Sequence, residues 1–176
     1  MAALMPARWQ VQIASTVASQ SDLLPGSTSH DAASSTSGNV NGSPPTGDLL
    51  YSNSPFHFSL YYPSNLQVQT TNQSGTLTVI FQDSTSGEGF EIYVMPYDSA
   101  QITESRFKLD EPSGTFVQPT NVIIDGTPAT MFFGYNSLMG ETREEWFIKS
   151  GLLYEVVTYK ALDAWLSEIM RTWRFI

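Results

Sequence analysis

The sequence predicts an α+β domain in which an antiparallel β-sheet is closed by a C-terminal helix. Three observations predict this class: aromatic residues are concentrated late in the chain, apolar and polar residues alternate over several short runs, and an amphipathic stripe ends the chain. Aromatic side chains bury much apolar surface, so their distribution locates the core. Trp9 is the only aromatic residue before Tyr51, which predicts one domain at residues 51–176.

Residues 27–50 differ sharply from that domain in composition. They are rich in Ser, Thr, Gly and Pro, and Val40 is the only large aliphatic residue between positions 27 and 47. Such a stretch cannot bury enough apolar surface to offset its ordering entropy. We therefore expect a flexible tether at residues 27–50, preceded by an N-terminal extension, partly helical, at residues 1–26.

Alternating apolar residues predict strands at residues 56–62, 77–82, 90–95, 143–149 and 152–159, with a shorter piece at 66–70. Asp125-Gly126 lies between two apolar runs, so residues 121–133 are predicted to form a hairpin. Asp-Gly supplies the positive φ angles of a type I′ turn. The strand at 56–62 is expected to place His57 on its solvent side.

Two helices are predicted. Residues 99–109 suggest a short surface helix, and residues 161–172 a longer one. The second carries an apolar stripe at helical spacing that predicts core packing rather than a cofactor site. Its members are Leu162, Trp165, Leu166, Ile169, Met170 and Trp173.

Composition excludes several classes of function. The net charge is −9 and no Lys/Arg cluster interrupts it, which argues against nucleic-acid binding and against docking on anionic lipid. No cysteine is present, so disulfides, thiolate zinc sites and cysteine nucleophiles are excluded. Only 14% of the residues are charged, a composition commoner in secreted or envelope proteins than in cytosolic enzymes. No apolar run is long enough to predict a transmembrane helix.

The sequence contains no catalytic or cofactor signature. Glu144 and Glu145 are adjacent on a predicted strand, so they point to opposite faces, and with Glu141 they are expected to form a solvated acidic edge. Asp83 and Glu88 could offer carboxylate oxygens to calcium, although a hydrated turn is the interpretation that we favour. No residue is therefore assigned a catalytic, cofactor-binding or firm metal-binding role.

One feature favours binding. Tyr61, Tyr93 and Phe147 are predicted to lie on strand faces opposite the clearest core residues, beside polar neighbours such as Glu91 and Glu145. Aromatic side chains on a half-polar face could line a groove for a partner. The alternative is that the helix at residues 99–109 covers this face.

Several segments resemble the PsbP-like superfamily. They are the opening Tyr-Ser-Asn-Ser-Pro-Phe-His-Phe-Ser-Leu-Tyr-Tyr-Pro at residues 51–63, Ile-Asp-Gly-Thr-Pro-Ala at 124–129, the late strands around residues 146–148 and 153–154, and the end of the chain at 173–175. The resemblance implies an antiparallel sheet of about six to seven strands flanked by helices, an α/β/α sandwich. It also implies non-catalytic binding or assembly support, and the Ser/Thr-rich tether is similar to that of bacterial envelope lipoproteins of this group.

The sequence therefore favours a non-enzymatic, extracytoplasmic binding or accessory module, monomeric and tethered to a membrane or envelope complex. Its expected partner is a protein or an envelope component, and no cofactor is predicted. A hydrolase or metal-assisted enzyme that uses Asp83, Glu88, Asp110 and Glu111 is one alternative. The other is a purely structural subunit of a photosynthetic-type complex, which would place the protein in the thylakoid lumen.

Overall fold

The structure, a computed structural model, describes residues 46–110, 115–136 and 139–176. The N-terminal extension and nearly all of the predicted tether lie outside these residues. The elements in chain order are β1 (Asp48–Asn53), β2 (Phe58–Pro63), β3 (Gln67–Gln73), β4 (Thr76–Gln82), β5 (Gly89–Pro96), α1 (Glu104–Asp110), β6 (Val117–Ile124), β7 (Thr127–Asn136), β8 (Gly140–Lys149), β9 (Leu152–Tyr159), α2 (Asp163–Arg171) and β10 (Arg174–Phe175). Single 3-10 turns occur at Ser54–Phe56 and Lys160–Leu162.

The strands form two antiparallel sheets. The larger sheet has seven strands in the order β3-β4-β5-β9-β8-β7-β6, and the smaller has three in the order β1-β2-β10. Strand β9 pairs with both β5 and β8, which joins the early hairpins to the late ones. The predicted antiparallel sheet is thereby confirmed. Neither α-helix in the described ranges has the length and apolar composition needed to cross a membrane.

One face of the seven-stranded sheet, the inner face, carries the main core. Val79, Ile92 and Tyr154 lie on it, packed with side chains from β2, α2 and the end of the chain. The rings of Phe58 and Trp173 stack with centroids 4.5 Å apart, and both side chains are fully buried. These contacts make the last residues of the chain part of the core.

The opposite face, the outer face, is defined by the row Tyr93, Glu155, Trp146 and Thr130, which are aligned across β5, β9, β8 and β7. Helix α1 contacts this face through Phe107, whose ring centroid lies 5.4 Å from that of Trp146. Both faces of β8 are therefore covered. Burial on both sides is consistent with the two adjacent aromatic residues of this strand, Trp146 and Phe147, which point to opposite faces and are each 1% exposed.

The beginning of the domain differs from the prediction. Strand β1 starts at Asp48, within the last residues assigned to the tether, and pairs with β2 along its length. The predicted strand at 56–62 starts only at Phe58, because a 3-10 turn precedes it. Pro55 lies in this turn, and the Phe56 amide donates a capping hydrogen bond to Asn53 Oδ1. His57 ends that turn at φ 55° and is exposed. It is a turn residue rather than a mid-strand one.

The central hairpin agrees with the prediction. Asp125 and Gly126 both have positive φ angles, 44° and 75°, as a type I′ turn requires. The carboxylate of Asp125 also accepts a hydrogen bond of 2.9 Å from the amide of Phe175. The turn is thus attached to the C-terminal strand.

Candidate functional site

A pocket of about 510 Å³ opens between α1 and the outer face of the sheet. Four rings form its apolar wall: Phe107 from α1, Phe116 from the segment before β6, Phe132 from β7 and Trp146 from β8. We call it the aromatic pocket. Helix α1 supplies its rim through Glu104 and Lys108.

The four rings pack against one another with geometries typical of aromatic clusters. The centroid of Phe107 lies 5.3 Å from that of Phe116 and 5.5 Å from that of Phe132, both nearly edge-to-face. Phe132 and Trp146 are each only 1% exposed, whereas Phe116 is 49% exposed. The cluster therefore extends from the buried rings of Phe132 and Trp146, which form the floor, to the solvent-exposed ring of Phe116.

Glu144 fixes the floor of the pocket. The indole Nε1 of Trp146 donates a 3.0 Å hydrogen bond to Glu144 Oε2, and the hydroxyl of Thr142 donates one of 3.0 Å to Oε1. A Cβ atom at Gly134 would lie 2.7 Å from the Thr142 hydroxyl and 3.1 Å from Glu144 Oε1. The glycine on the neighbouring strand therefore leaves the space in which the carboxylate sits.

The rim of the pocket is charged and exposed. Lys108 Nζ lies 2.6 Å from Glu104 Oε1, one helical turn away, and both side chains are largely exposed. The hydrogen bond and the charge of Lys108 lower the pKa of Glu104 below its usual value. Exposed ion pairs of this kind contribute little to stability, so either partner is available to another charged group.

The outer face is acidic beyond Glu144. Glu155 lies directly opposite Trp146 in the strand register, and Glu91 lies on the adjacent row; both are buried. Arg106, on the same helix as Lys108, has its guanidinium 5.6 Å from the ring centre of Tyr97 and contacts Met95. Among the described residues, no group of three or more His, Asp or Glu side chains is arranged to hold a metal ion.

The three aromatic residues predicted to bind a partner lie in three different places. Tyr93 is half-buried on the outer face, in the same row as Trp146. Tyr61 belongs to the smaller sheet, where its amide donates to the Thr172 hydroxyl at 2.9 Å. Phe147 is 1% exposed on the inner face, its ring stacked on that of Tyr154 with centroids 5.1 Å apart.

The predicted facing of β8 was therefore wrong. The sequence predicted Phe147 on the half-polar face, whereas Phe147 packs in the main core and its neighbour Trp146 forms the pocket floor. Alternation fixes only which residues share a face, and both faces of this strand carry a large aromatic residue. Charged residues also stand on both faces, Glu144 on one and Glu145 on the other, so the polar residues did not indicate which face is buried in the main core.

The expected acidic edge at Glu141, Glu144 and Glu145 is only partly observed. Glu141 is exposed and pairs with Lys160, with Nζ and Oε1 2.7 Å apart, but Glu144 and Glu145 are 3% and 2% exposed. They do point to opposite faces, as predicted. Their burial follows from the position of β8 inside the sheet, between β7 and β9.

Glu145 belongs to a charged cluster on the inner face. Its Oε2 lies 2.9 Å from Arg143 Nη1, and Arg143 Nε lies 3.1 Å from Asp163 Oδ1. Neither Nη1 nor Oε2 has the orientation of a hydrogen bond. Burial raises the pKa of Glu145, and the charge of Arg143 opposes that effect without cancelling it. The cluster connects β8 to the first residue of α2, a structural role.

Asp83 organises its own turn. Its Oδ1 accepts hydrogen bonds from the amides of Thr85 and Ser86, and its Oδ2 accepts one of 2.7 Å from the Asn65 side chain. These donors, that of Asn65 first, lower the pKa of Asp83. Glu88 is exposed in the same loop, and its backbone carbonyl accepts a hydrogen bond from the Asp83 amide. Glu111 lies outside the described residues.

The aromatic pocket was not predicted, although two of its parts had sequence signals. The helix that forms its rim was predicted to cover this face, and Phe107 is the apolar residue of that helix that reaches the sheet. Phe116 is separated from Phe107 by a connection, and Phe132 is far from Phe107 in sequence. Only the strand order β9-β8-β7 therefore brings the rings together.

Comparison with solved structures identifies the fold. Over 79% of this chain and 98% of the other, the structure is similar to cyanobacterial PsbP (CyanoP) from Synechocystis sp. PCC 6803, with a TM-score of 0.56 and 11% sequence identity. The fold is PsbP-like, as the resemblance implied. No protein-family model matches the sequence. The comparison with curated proteins found no matching relative.

Proposed function

We propose that this PsbP-like domain is a non-catalytic accessory module that binds a protein partner through the aromatic pocket. One observation carries the proposal: a cavity of about 510 Å³ has a rigid floor of buried aromatic rings and an open wall formed by the half-exposed Phe116. Aromatic side chains in such depressions dominate the energetics of protein–protein contacts.

The surroundings of the pocket support a binding surface. Leu109 is 69% exposed and Val117 is 47% exposed, and both lie next to pocket residues in the chain. Exposed apolar residues are ordinary when scattered, but a group beside a cavity indicates an interaction site. Tyr93, on the same face, is the one originally predicted binding residue that could extend this surface.

The fold supports an accessory role rather than catalysis. The PsbP-like superfamily implies non-catalytic binding or assembly support, and we extend that role to this chain. Within the described residues Asp83 is committed to its own turn, so the alternative of an enzyme that uses loop carboxylates gains no support from that residue.

The same proposal includes the place of the protein in the cell. We place the protein outside the cytoplasm, attached through residues 27–50 to a membrane or envelope complex. The photosynthetic alternative is the thylakoid lumen. Both placements accord with the fold and the low fraction of charged residues. Helices α1 and α2 then serve as the outer layers of an α/β/α sandwich, with α1 presenting the partner site.

Capture of the partner tests the proposal. The full chain, immobilised, is incubated with detergent-solubilised membranes of the source organism, and retained proteins are compared between the wild type, Phe116→Ser and Ile123→Ser. Ile123 is 67% exposed on the nearby edge strand and does not line the pocket, which makes it a matched control. We expect a protein that the wild type and I123S retain and F116S loses. Equal retention by F116S and the wild type would remove the pocket from the proposal.

A further inference from the structure

We infer that two copies of this chain associate by pairing their β3 strands antiparallel about a two-fold axis, which joins their seven-stranded sheets into one. This association is independent of the aromatic pocket, and it makes the protein a dimer in place of the monomer expected from the sequence. Its basis is that β3, an edge of the larger sheet, lacks the charges, prolines and bulges by which proteins discourage strand addition.

Strand β3 is a long and regular edge. It stands at one end of the strand order, and no other strand in the described ranges pairs with its far side. Its pairing with β4 covers all seven residues without a shift in register, and every residue except the half-buried Val68 is exposed. An antiparallel strand paired on one side directs alternate N–H and C=O groups away from its neighbour. Strand β3 therefore presents a regular row of backbone donors and acceptors.

The opposite edge of the same sheet, β6, is blocked. Its register with β7 shifts between Val117 and Thr120, and Pro119 between them has no amide donor. Both features interrupt the row of backbone groups that a further strand needs. Within the larger sheet, strand addition is therefore limited to β3. Pairing of β3 with β3 uses the open edge of both copies, so the assembly closes at two copies and does not grow into a fibre.

Strand β3 also avoids the charge repulsion that opposes self-association. The chain has a net charge of −9, so two copies repel each other. None of the side chains of β3 is charged: they are Gln, Thr, Asn and one Val. Contact at this edge brings no carboxylates of the strand together, and amide and hydroxyl side chains hydrogen-bond well between neighbouring strands.

The strand is self-complementary when the two-fold axis passes through Thr70. Each Thr70 then faces the Thr70 of the second copy, a pair that stabilises antiparallel strands through its hydroxyl groups. Gln69 faces Thr71 of the second copy. Val68 faces Asn72 of the second copy. Opposed residues share a face of the sheet in this register, so the inner faces of both copies lie on the same side.

An exposed apolar side chain borders the same edge. The hydroxyl of Tyr51 lies 3.4 Å from Thr70 Oγ1, which places β1 beside β3 on the inner face. Leu49 lies two residues before Tyr51, on the same side of β1, and is 47% exposed. A second copy at β3 covers part of Leu49 and adds apolar burial to the backbone hydrogen bonds. The contact remains small, so we expect a weak dimer.

Sedimentation equilibrium of the full chain measures this association at concentrations up to about 0.5 mM. We expect the wild type to approach twice the monomer mass. Thr70→Lys places two ammonium groups opposite each other at the axis, so it should weaken the association at least about tenfold. Thr120→Lys makes the same change at an exposed residue of the blocked edge, with the same net charge, and should associate as the wild type does.

A charge swap tests the position of the axis. Thr70→Glu places two carboxylates opposite each other and should also be monomeric. An equimolar mixture of T70K and T70E places an ammonium group opposite a carboxylate and should form dimers again. Because Thr70 is exposed, we expect the circular dichroism spectrum of both variants to match that of the wild type, which separates lost pairing from unfolding.

Three results would overturn the inference. A wild type that stays monomeric at the highest concentration leaves β3 open to a strand of another protein. A dimer that T70K does not weaken uses another surface. A mixture of T70K and T70E that stays monomeric contradicts pairing about Thr70. Partner capture with F116S is a separate measurement, so the proposed function stands or fails independently of these results.

Discussion

At the scale of single residues, β8 places carboxylates in two very different environments. Glu144 lies on the outer face, buried beside Trp146, and accepts two hydrogen bonds, whereas Glu145 lies on the inner face and meets Arg143 without hydrogen-bond alignment. Desolvation is the largest influence on Glu145 and raises its pKa. Buried ion pairs of this kind often contribute little net stability, because removing two charges from water offsets much of their attraction.

This difference predicts the pH dependence of stability. A carboxyl group whose pKa is higher in the folded state binds more protons folded than unfolded, so its contribution is complete below the ordinary value of 4.5 and is lost as pH rises through the folded pKa. Glu145→Gln should therefore flatten the decline in the free energy of unfolding above pH 4.5. Each unit of pKa displacement corresponds to about 1.4 kcal/mol.

Denaturant unfolding at a series of pH values measures this effect. Glu141→Gln is the matched control, because Glu141 lies on the same strand in an exposed ion pair with Lys160. Its profile should run parallel to that of the wild type. Parallel profiles for E145Q and the wild type from pH 4.5 upward would show that burial of Glu145 does not govern the slope.

At the scale of secondary-structure elements, local chemistry predicted the hairpins well. The Asp125-Gly126 turn could be predicted from the sequence, because two adjacent positive φ angles demand particular residues. The sequence did not show which side chains of β8 point to the main core, because Trp146 and Phe147 are both fully buried on opposite sides of the sheet. The start of β1 was missed because Leu49 and Leu50 are adjacent and do not alternate with polar residues, and only pairing with β2 orders them as a strand.

The turn at Gly126 offers a test at this scale. Gly126 has φ +75°, and a Cβ added there would meet no atom within 4 Å, so Gly126→Ala changes backbone strain alone. We expect a loss of about 1 kcal/mol in the free energy of unfolding, measured by chemical denaturation. Gly126→Asn should cost less, because asparagine tolerates the left-handed region better than alanine. Equal stability of G126A and the wild type would contradict the turn geometry.

The edge strand β6 limits where a partner can join. The register with β7 shifts between Val117 and Thr120, Gln118 has φ 52°, and Pro119 lacks an amide donor. Bulges and prolines of this kind discourage strand addition at a sheet edge. The proposed binding through side chains in the neighbouring aromatic pocket does not require strand addition at this edge.

At the scale of the whole molecule, the PsbP-like fold has its main core on the inner face and an aromatic pocket on the outer face. The fold class and most strands could be predicted, because aromatic distribution and alternation report burial directly. The pocket could not, because it depends on the order β9-β8-β7 and on where α1 settles, and both are long-range properties. The outer face is aromatic and partly polar, with Trp146 where the sequence predicted Phe147, and binding at this face stays a prediction.

The most direct test of the aromatic pocket as a binding site is hydrogen–deuterium exchange of the full chain, alone and with its captured partner. Binding at the pocket predicts slower exchange in α1 and in the neighbouring parts of β7 and β8, with β1 and β2 unchanged. Protection centred instead on β1 and β2, around Leu50 and Tyr61, with none in α1, would contradict the account.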